Sequence, residues 1–353
     1  MKNFYCENCE SRVFFSNTVC LNCGTAIGFD IESCEMVALP ENPQSGQFKP
    51  CLNYTTHSTC NWAIPADSPD SLCCSCKLTE TIPDLTLTEN LVAWGKIEEA
   101  KRRLVYNLNR LGLRPKPKTE TNPDGLLFKF LADPDDPNAP PVLTGHAAGV
   151  VTLNIAEADD AERERRRTAM GEPYRTLVGH MRHEVGHYYF DLLVKEEDRE
   201  GFRELFGDER EDYGEALQRH YKEGPPSDWA DSFISAYATA HAWEDWAETW
   251  AHYLHMMDSI GTAVHSHTLI ERTRQGDPTF DYKSIDLNSF DSIISSWPAL
   301  ACLINSFNRS LGMPDAYPFT TATPVANKLK FIHKLISDHA TPWYGGQKDQ
   351  VIR

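Results

Sequence analysis

The sequence predicts an α+β protein in two parts: a small cysteine-rich β module over 1–78 and a mainly helical domain with a small sheet over 79–353. Three observations predict this. Ten of the eleven cysteines lie before residue 77, among Asn, Ser, Pro and short β-like runs such as "RVFF". From about Glu89 onward, apolar residues fall at three-and-four spacing, the period of a buried helix face. Within that second part "GVVTLNIAEA", Gly149 to Ala158, sets Val151, Leu153 and Ile155 against Thr152, Asn154 and Ala156, the alternation of a half-buried strand.

Composition narrows the function classes. A chain of 353 residues with 41% hydrophobic and 24% charged residues can bury one sizeable core beside a smaller module. Its formal charge of −17 and lack of a long basic run argue against generic binding to nucleic-acid phosphates. "MKNFYCENCESRVFF" contains no apolar signal core, and no stretch approaches eighteen uncharged apolar residues. The expectation is a cytoplasmic protein, away from membranes, whose thiols stay reduced.

In the first part, Cys6-x2-Cys9 and Cys20-x2-Cys23 are paired knuckles ten residues apart. Two such turns offer four thiolates to a tetrahedral zinc, with backbone N–H groups turned toward the sulfurs, and Gly24 relieves the second turn. Cys51 and Cys60 with Cys73-x2-Cys76 complete a second four-thiolate set. Cys74 is left over, Cys34 and Cys302 read as core residues, and His57 reads as a loop histidine rather than a ligand. Both sets have four protein ligands and no open position, so two structural zinc ions are expected. Residues 1–77 carry Lys2, Arg12, Lys49 and Lys77 against eight acids, which points away from nucleic acid and toward a protein partner or docking within the chain.

Residues 79–88 read as a linker or domain entry, followed by a helix from Glu89 to near Gly112, a Pro-rich loop, and a strand at "LLFKFLA". Helices are then expected at 160–169, 173–195, 198–206, 211–221, 227–257, 289–311 and 324–338. The helix at 173–195 carries His183-Glu184-Val185-Gly186-His187. Its histidines lie about 40° apart on one face, with Glu184 beside them. His180 reads as a polar helix-start residue, and Arg182 as a carboxylate binder or a surface charge. Gly186 within a helix costs about 1 kcal/mol against alanine, which suggests close approach by another backbone or by substrate. Downstream, "HAWEDWAETWAHYLH" sets Glu244, Glu248 and His252 on one stripe, with His255 near it, among Trp243, Trp246, Trp250 and Tyr253.

His183-Glu184-x-x-His187 followed by Glu244-x-x-Ala247-Glu248 resembles the gluzincin class of zinc metallopeptidases. "RHEVGHYYFDLL", "LFGDEREDYGEAL" and "EDWAETWAHYLH" resemble a bacterial family of zinc-binding metallopeptidases with an N-terminal zinc ribbon, over most of the chain. The resemblance implies a zincin-like domain with one catalytic zinc on His183, His187 and Glu244, and Glu248 supporting a ligand histidine from behind. Many gluzincins have aspartate at the Glu248 position, which leaves open the swap with Glu248 as ligand. The implied activity is hydrolysis of a peptide or protein substrate, with Glu184 as general base. An oxyanion donor is also needed; Tyr188, Tyr213, Tyr237, His252 and Tyr253 are candidates, and Tyr213 lies in a matched segment. The strand at Gly149–Ala158 is expected to be an edge that holds an extended peptide. Two other readings are a non-catalytic protein-binding adaptor and a hydrolase of a non-peptide amide.

Overall fold

The structure, a computed structural model, describes residues 1–40, 46–134, 136, 138–163, 165, 176–316 and 321–341. It is mixed α and β, with small antiparallel ladders at the N-terminus and helices through the C-terminal part. The ladders are β1 (Phe4–Tyr5) with β2 (Arg12–Val13), β3 (Ile27–Asp30) with β4 (Glu35–Ala38), and β5 (Phe48–Pro50) with β6 (Ala63–Pro65). A short helix α1 (Leu52–His57) lies between the last two strands. Two- to four-residue strands cannot enclose a core by themselves. Their apolar side chains close instead on α2 (Thr88–Arg110): Phe15 and Phe29 lie 5.2 and 5.7 Å from the Tyr106 ring, and Trp62 lies 5.2 Å from Phe29. The buried Arg102 guanidinium donates to the carbonyl of Thr59 across the same seam. One apolar core therefore runs without a break from the cysteine-rich module into the helices.

The expected linker at 79–88 opens with a strand, β7 (Thr79–Thr81), because Thr79 pairs beside Phe128 of β8 (Leu127–Leu131). β8 pairs in parallel with β10 (Val150–Asn154), which is flanked antiparallel by β9 (Gly145–Ala147). The sheet order is β7-β8-β10-β9. This corrects the expectation for 149–158. The strand stops at Asn154, whose side chain caps a 3-10 turn over Ile155–Ala158, and it is interior, with the shorter β9 as the edge beside it.

Of the helix expected at 160–169, residues 160–163 and 165 are helical and the rest lie outside the described residues. After it come α3 (Leu177–Leu193), α4 (Arg199–Phe206), α5 (Tyr213–Glu223), α6 (Ala242–His265), a small ladder of β11 (Leu269–Ile270) with β12 (Phe280–Asp281), α7 (Phe290–Ser310) and α8 (Thr323–His339). The helix expected at 227–257 begins only at Ala242 and runs on to His265. Before it, two 3-10 turns occupy Trp229–Asp231 and Tyr237–Thr239, where the Ser235 and Thr239 hydroxyls bond to nearby backbone and compete with helix. His241 ends this stretch as an N-cap, its Nδ1 accepting from the N–H of Trp243. No helix among the described residues is long and apolar enough to cross a membrane.

α3 and α6 pack face to face. Tyr189 stacks on Trp250 at 4.9 Å, Phe190 meets Trp246 at 5.7 Å, and the Trp246 indole N–H donates to the carbonyl of Gly186 at 2.8 Å. A Cβ on Gly186 would lie 3.1 Å from both the Cα of Ala247 and Cδ1 of Trp250, so the glycine serves backbone approach. α8 backs α6 through a buried Lys328–Asp245 pair at 2.6 Å and a Tyr253–His333 hydrogen bond at 2.9 Å.

Two outcomes follow from this packing. Gly186→Ala restores about 1 kcal/mol of helix propensity, but overpacking of a buried tryptophan and a helix backbone costs about 1–3 kcal/mol. We expect a lower unfolding temperature and weaker zinc retention, read by calorimetry and metal analysis. Cys20→Ser should lower the unfolding of the whole chain as one transition, by about 3 kcal/mol or more, rather than melt the N-terminal module alone.

Candidate metal centre

The four-cysteine sets assemble as their spacing predicts. The ligand atoms of Cys6, Cys9, Cys20 and Cys23 lie within 4.8 Å of one another, as do those of Cys51, Cys60, Cys73 and Cys76. Sulfur separations of 3.7 Å (Cys6–Cys23), 3.6 Å (Cys9–Cys20) and 3.8 Å (Cys60–Cys73) match the edge of a zinc–thiolate tetrahedron, about 3.8 Å for 2.3 Å bonds. Backbone N–H groups of Trp62, Cys73 and Cys76 donate to Cys60, Cys51 and Cys73, and the side-chain amides of Asn8 and Asn22 donate to Cys23 and Cys9. Gly24 adopts φ +73 at the end of the second knuckle. Cys74 is exposed and Cys34 buried, both outside the sets, and the His57 ring packs against Trp94.

The third cluster joins α3 to α6. His183, His187 and Glu244 are 9%, 5% and 1% exposed, and one ligand atom from each lies within 4.8 Å of the others. Nε2 of His183 and of His187 stand 3.0 and 3.7 Å from Oε2 of Glu244. These distances bracket the roughly 3.4 Å edge expected for ligands about 2.1 Å from a tetrahedral zinc. Among the described residues that buried Oε2 accepts no hydrogen bond despite its neighbours, as when the three atoms face a common point rather than each other. The donor set and this orphaned oxygen fit a zinc ion.

Glu248 stands behind the histidine. His183 Nδ1 donates to Glu248 Oε1 at 2.6 Å, which leaves Nε2 facing Glu244. Ser235 donates to the other Glu248 oxygen at 2.6 Å. Burial alone would lower the pKa of His183, but the charges of Glu244 and Glu248 and the hydrogen bond to Glu248 outweigh it and push the group well above its ordinary value. Burial holds His187 below its ordinary value. Burial works to raise Glu244, but the charges of His187 and His183 win and hold its carboxyl well below the usual range.

Tyr213, at the start of α5, donates to Glu244 Oε1 at 2.6 Å. Tyr237 lies with its ring 6.1 Å from His183. The other oxyanion candidates sit elsewhere: Tyr188 packs on Tyr189, Tyr253 bonds His333, and His252 is buried farther along α6. Arg182 is neither at a substrate site nor on the surface. It is buried against His255, Asn107 and Asp258, tying α3 to α2 and α6.

The sequence reading missed several neighbours. Trp243 packs on His187 at 4.4 Å, and His146 of β9 stacks on the same imidazole at 6.1 Å. His180 is more than a helix-start residue: its Nδ1 lies 2.6 Å from Glu157 Oε2 and its Nε2 3.0 Å from Glu184 Oε1. Burial opposes its charge, but the two carboxylates outweigh burial and raise its pKa to about 9. Its place one turn from the histidine pair was visible in the sequence, whereas Glu157 and Ser235, distant along the chain, carried no signal.

Comparison with known proteins agrees with this geometry. Residues 90–335 match the family described as "Putative zinc-binding metallo-peptidase", and residues 3–87 match a zinc-ribbon domain. Proteins of Mycobacterium tuberculosis and Mycobacterium bovis, described as uncharacterized, are each 42% identical over 343 residues, which is 96% of this chain and 96% of theirs. No solved structure matches the chain. The chain belongs to this zinc-binding metallo-peptidase family and carries a zinc-ribbon domain ahead of it.

Proposed function

We propose that the protein is a gluzincin-like zinc peptidase that hydrolyses peptide bonds, with His183, His187 and Glu244 holding one catalytic zinc. The observation that carries this is the meeting of two imidazole Nε2 atoms and an unbonded carboxylate oxygen beside a buried Glu184. Glu244 rather than Glu248 is the ligand in this reading, since both Glu248 oxygens are taken by His183 and Ser235. Three protein ligands leave a position open, unlike the closed four-cysteine sets, which hold two structural zinc ions. The absence of any disulfide among the eleven cysteines suits the reducing cytoplasm.

Zinc bound at this point would supply Lewis acidity, acidifying a water and polarising the scissile carbonyl. Glu184 takes the water's proton and delivers it to the leaving amine. Burial would raise the Glu184 pKa, but the hydrogen bond and charge of His180, with the charges of His183 and His187, outweigh it and hold the carboxyl below its ordinary value. Glu248 fixes the His183 ring so that its Nε2 lone pair faces the metal position. Tyr213, once released from Glu244, is the hydroxyl that reaches the carbonyl oxygen as charge develops there. The ribbon, sharing the core with α2, serves as part of the scaffold. A protein or peptide is the substrate class.

Metal analysis of protein purified without chelators should find about three zincs per chain by ligand counting. Glu184→Gln should keep all of them and abolish zinc-dependent cleavage of a peptide library. Two zincs only, or unchanged cleavage by the variant, would contradict the assignment. Tyr213→Phe should lower kcat about 100-fold at unchanged zinc content. Loss of zinc instead would place the tyrosine as a support for Glu244.

A further inference from the structure

The mechanism above uses His180 only for its hydrogen bond to the general base and leaves Glu157, on the far side of that imidazole, without a task. Glu157 is fully buried on the 3-10 turn that follows β10. Its Oε1 accepts from the Thr144 hydroxyl at 2.7 Å, and the same Thr144 oxygen accepts from the N–H of Asn154 at 3.1 Å. Glu157 is therefore fixed to the β9–β10 end of the sheet rather than to the metal helices. From there it reaches His180 Nδ1 at 2.6 Å, and His180 Nε2 reaches Glu184 Oε1 at 3.0 Å.

A carboxylate offers only acceptors, so an imidazole bridging two carboxylates donates from both ring nitrogens. The ring cannot turn without breaking a charge-assisted bond at each end. Glu184 has three side-chain torsions and would otherwise sample several rotamers, at a cost in alignment each time it meets a water. Held by Oε1, it keeps Oε2 as the oxygen free of hydrogen bonds among the described residues. We propose that Glu157 and His180 form a positioning pair that fixes the Glu184 carboxylate toward the zinc-side water, and so couples the general base to the sheet that borders the site. This rests on the peptidase reading of the site. His180 is a positioning residue here, acting only through Glu184.

The test compares zinc-loaded wild type, Glu184→Gln, His180→Ala and Glu157→Gln on one peptide substrate, with zinc content and a crystal structure for each. For His180→Ala we expect three zincs, KM within about two-fold, and kcat lower by about 10- to 100-fold, the cost of a misplaced catalytic group. Its crystal structure should show the Glu184 carboxylate turned from its place. Glu157→Gln, which keeps the imidazole but removes one charge-assisted bond, should lose less kcat and guards against a cavity effect of the alanine. An active wild type and a dead Glu184→Gln beside a His180→Ala with unchanged kcat, or with Glu184 unmoved, would overturn the positioning role alone. A wild type without zinc-dependent cleavage, or a fully active Glu184→Gln, would overturn the peptidase reading and this inference with it.

Discussion

The close approach of α3 and α6 at Gly186 is the contact on which the rest depends. A Cβ at Gly186 would sit 3.1 Å from both the Cα of Ala247 and the Trp250 indole, so a glycine eases their approach, and the Trp246 N–H bonds the carbonyl of Gly186 itself. That approach sets the distance from His183 and His187 on one helix to Glu244 on the other. The tryptophans and Tyr189 lock it with large buried rings, each worth more through area than through any single contact. The glycine gives up helix propensity and gains a seam between two helices that can be held to a fraction of an ångström.

Around that seam polar groups are arranged in layers. Glu244 faces the two Nε2 atoms, Glu248 and Ser235 fix the His183 ring from behind, and Tyr213 holds the outer oxygen of Glu244. Each buried carboxylate has a named partner that offsets the cost of taking its charge out of water. Glu244 and Glu248 flank the two ring nitrogens of His183, and their charge raises its pKa above the ordinary value despite burial. The ribbon is joined to this arrangement by its aromatic contacts with Tyr106 on α2, and Arg182 ties α2 to the metal helices.

Much of the fold and site could be read from residues close in sequence, because helical and knuckle spacing are local. The His183–His187 pair, the Glu244–Glu248 pair and both four-cysteine sets come together where their spacing put them. The α+β division and most helices after Leu177 were equally readable, within a few residues at their ends. What periodicity missed depends on long-range pairing or side-chain competition. The strand ending at Asn154 is interior because β9 folds back on it, and α6 starts late because Ser235 and Thr239 bond to local backbone. Arg182 and His180 looked like surface or cap residues because their partners, Asp258 and Glu157, lie 76 and 23 residues away along the chain.

The central claim is that one zinc ion sits between α3 and α6. Anomalous diffraction at the zinc edge, from crystals of protein purified without added metal or chelator, tests it most directly. The account predicts three peaks per chain, one of them within about 2.0–2.2 Å of His183 Nε2, His187 Nε2 and Glu244 Oε2. Peaks at the cysteine sets alone, or a third peak bound by Glu248 with Glu244 turned away, would contradict it.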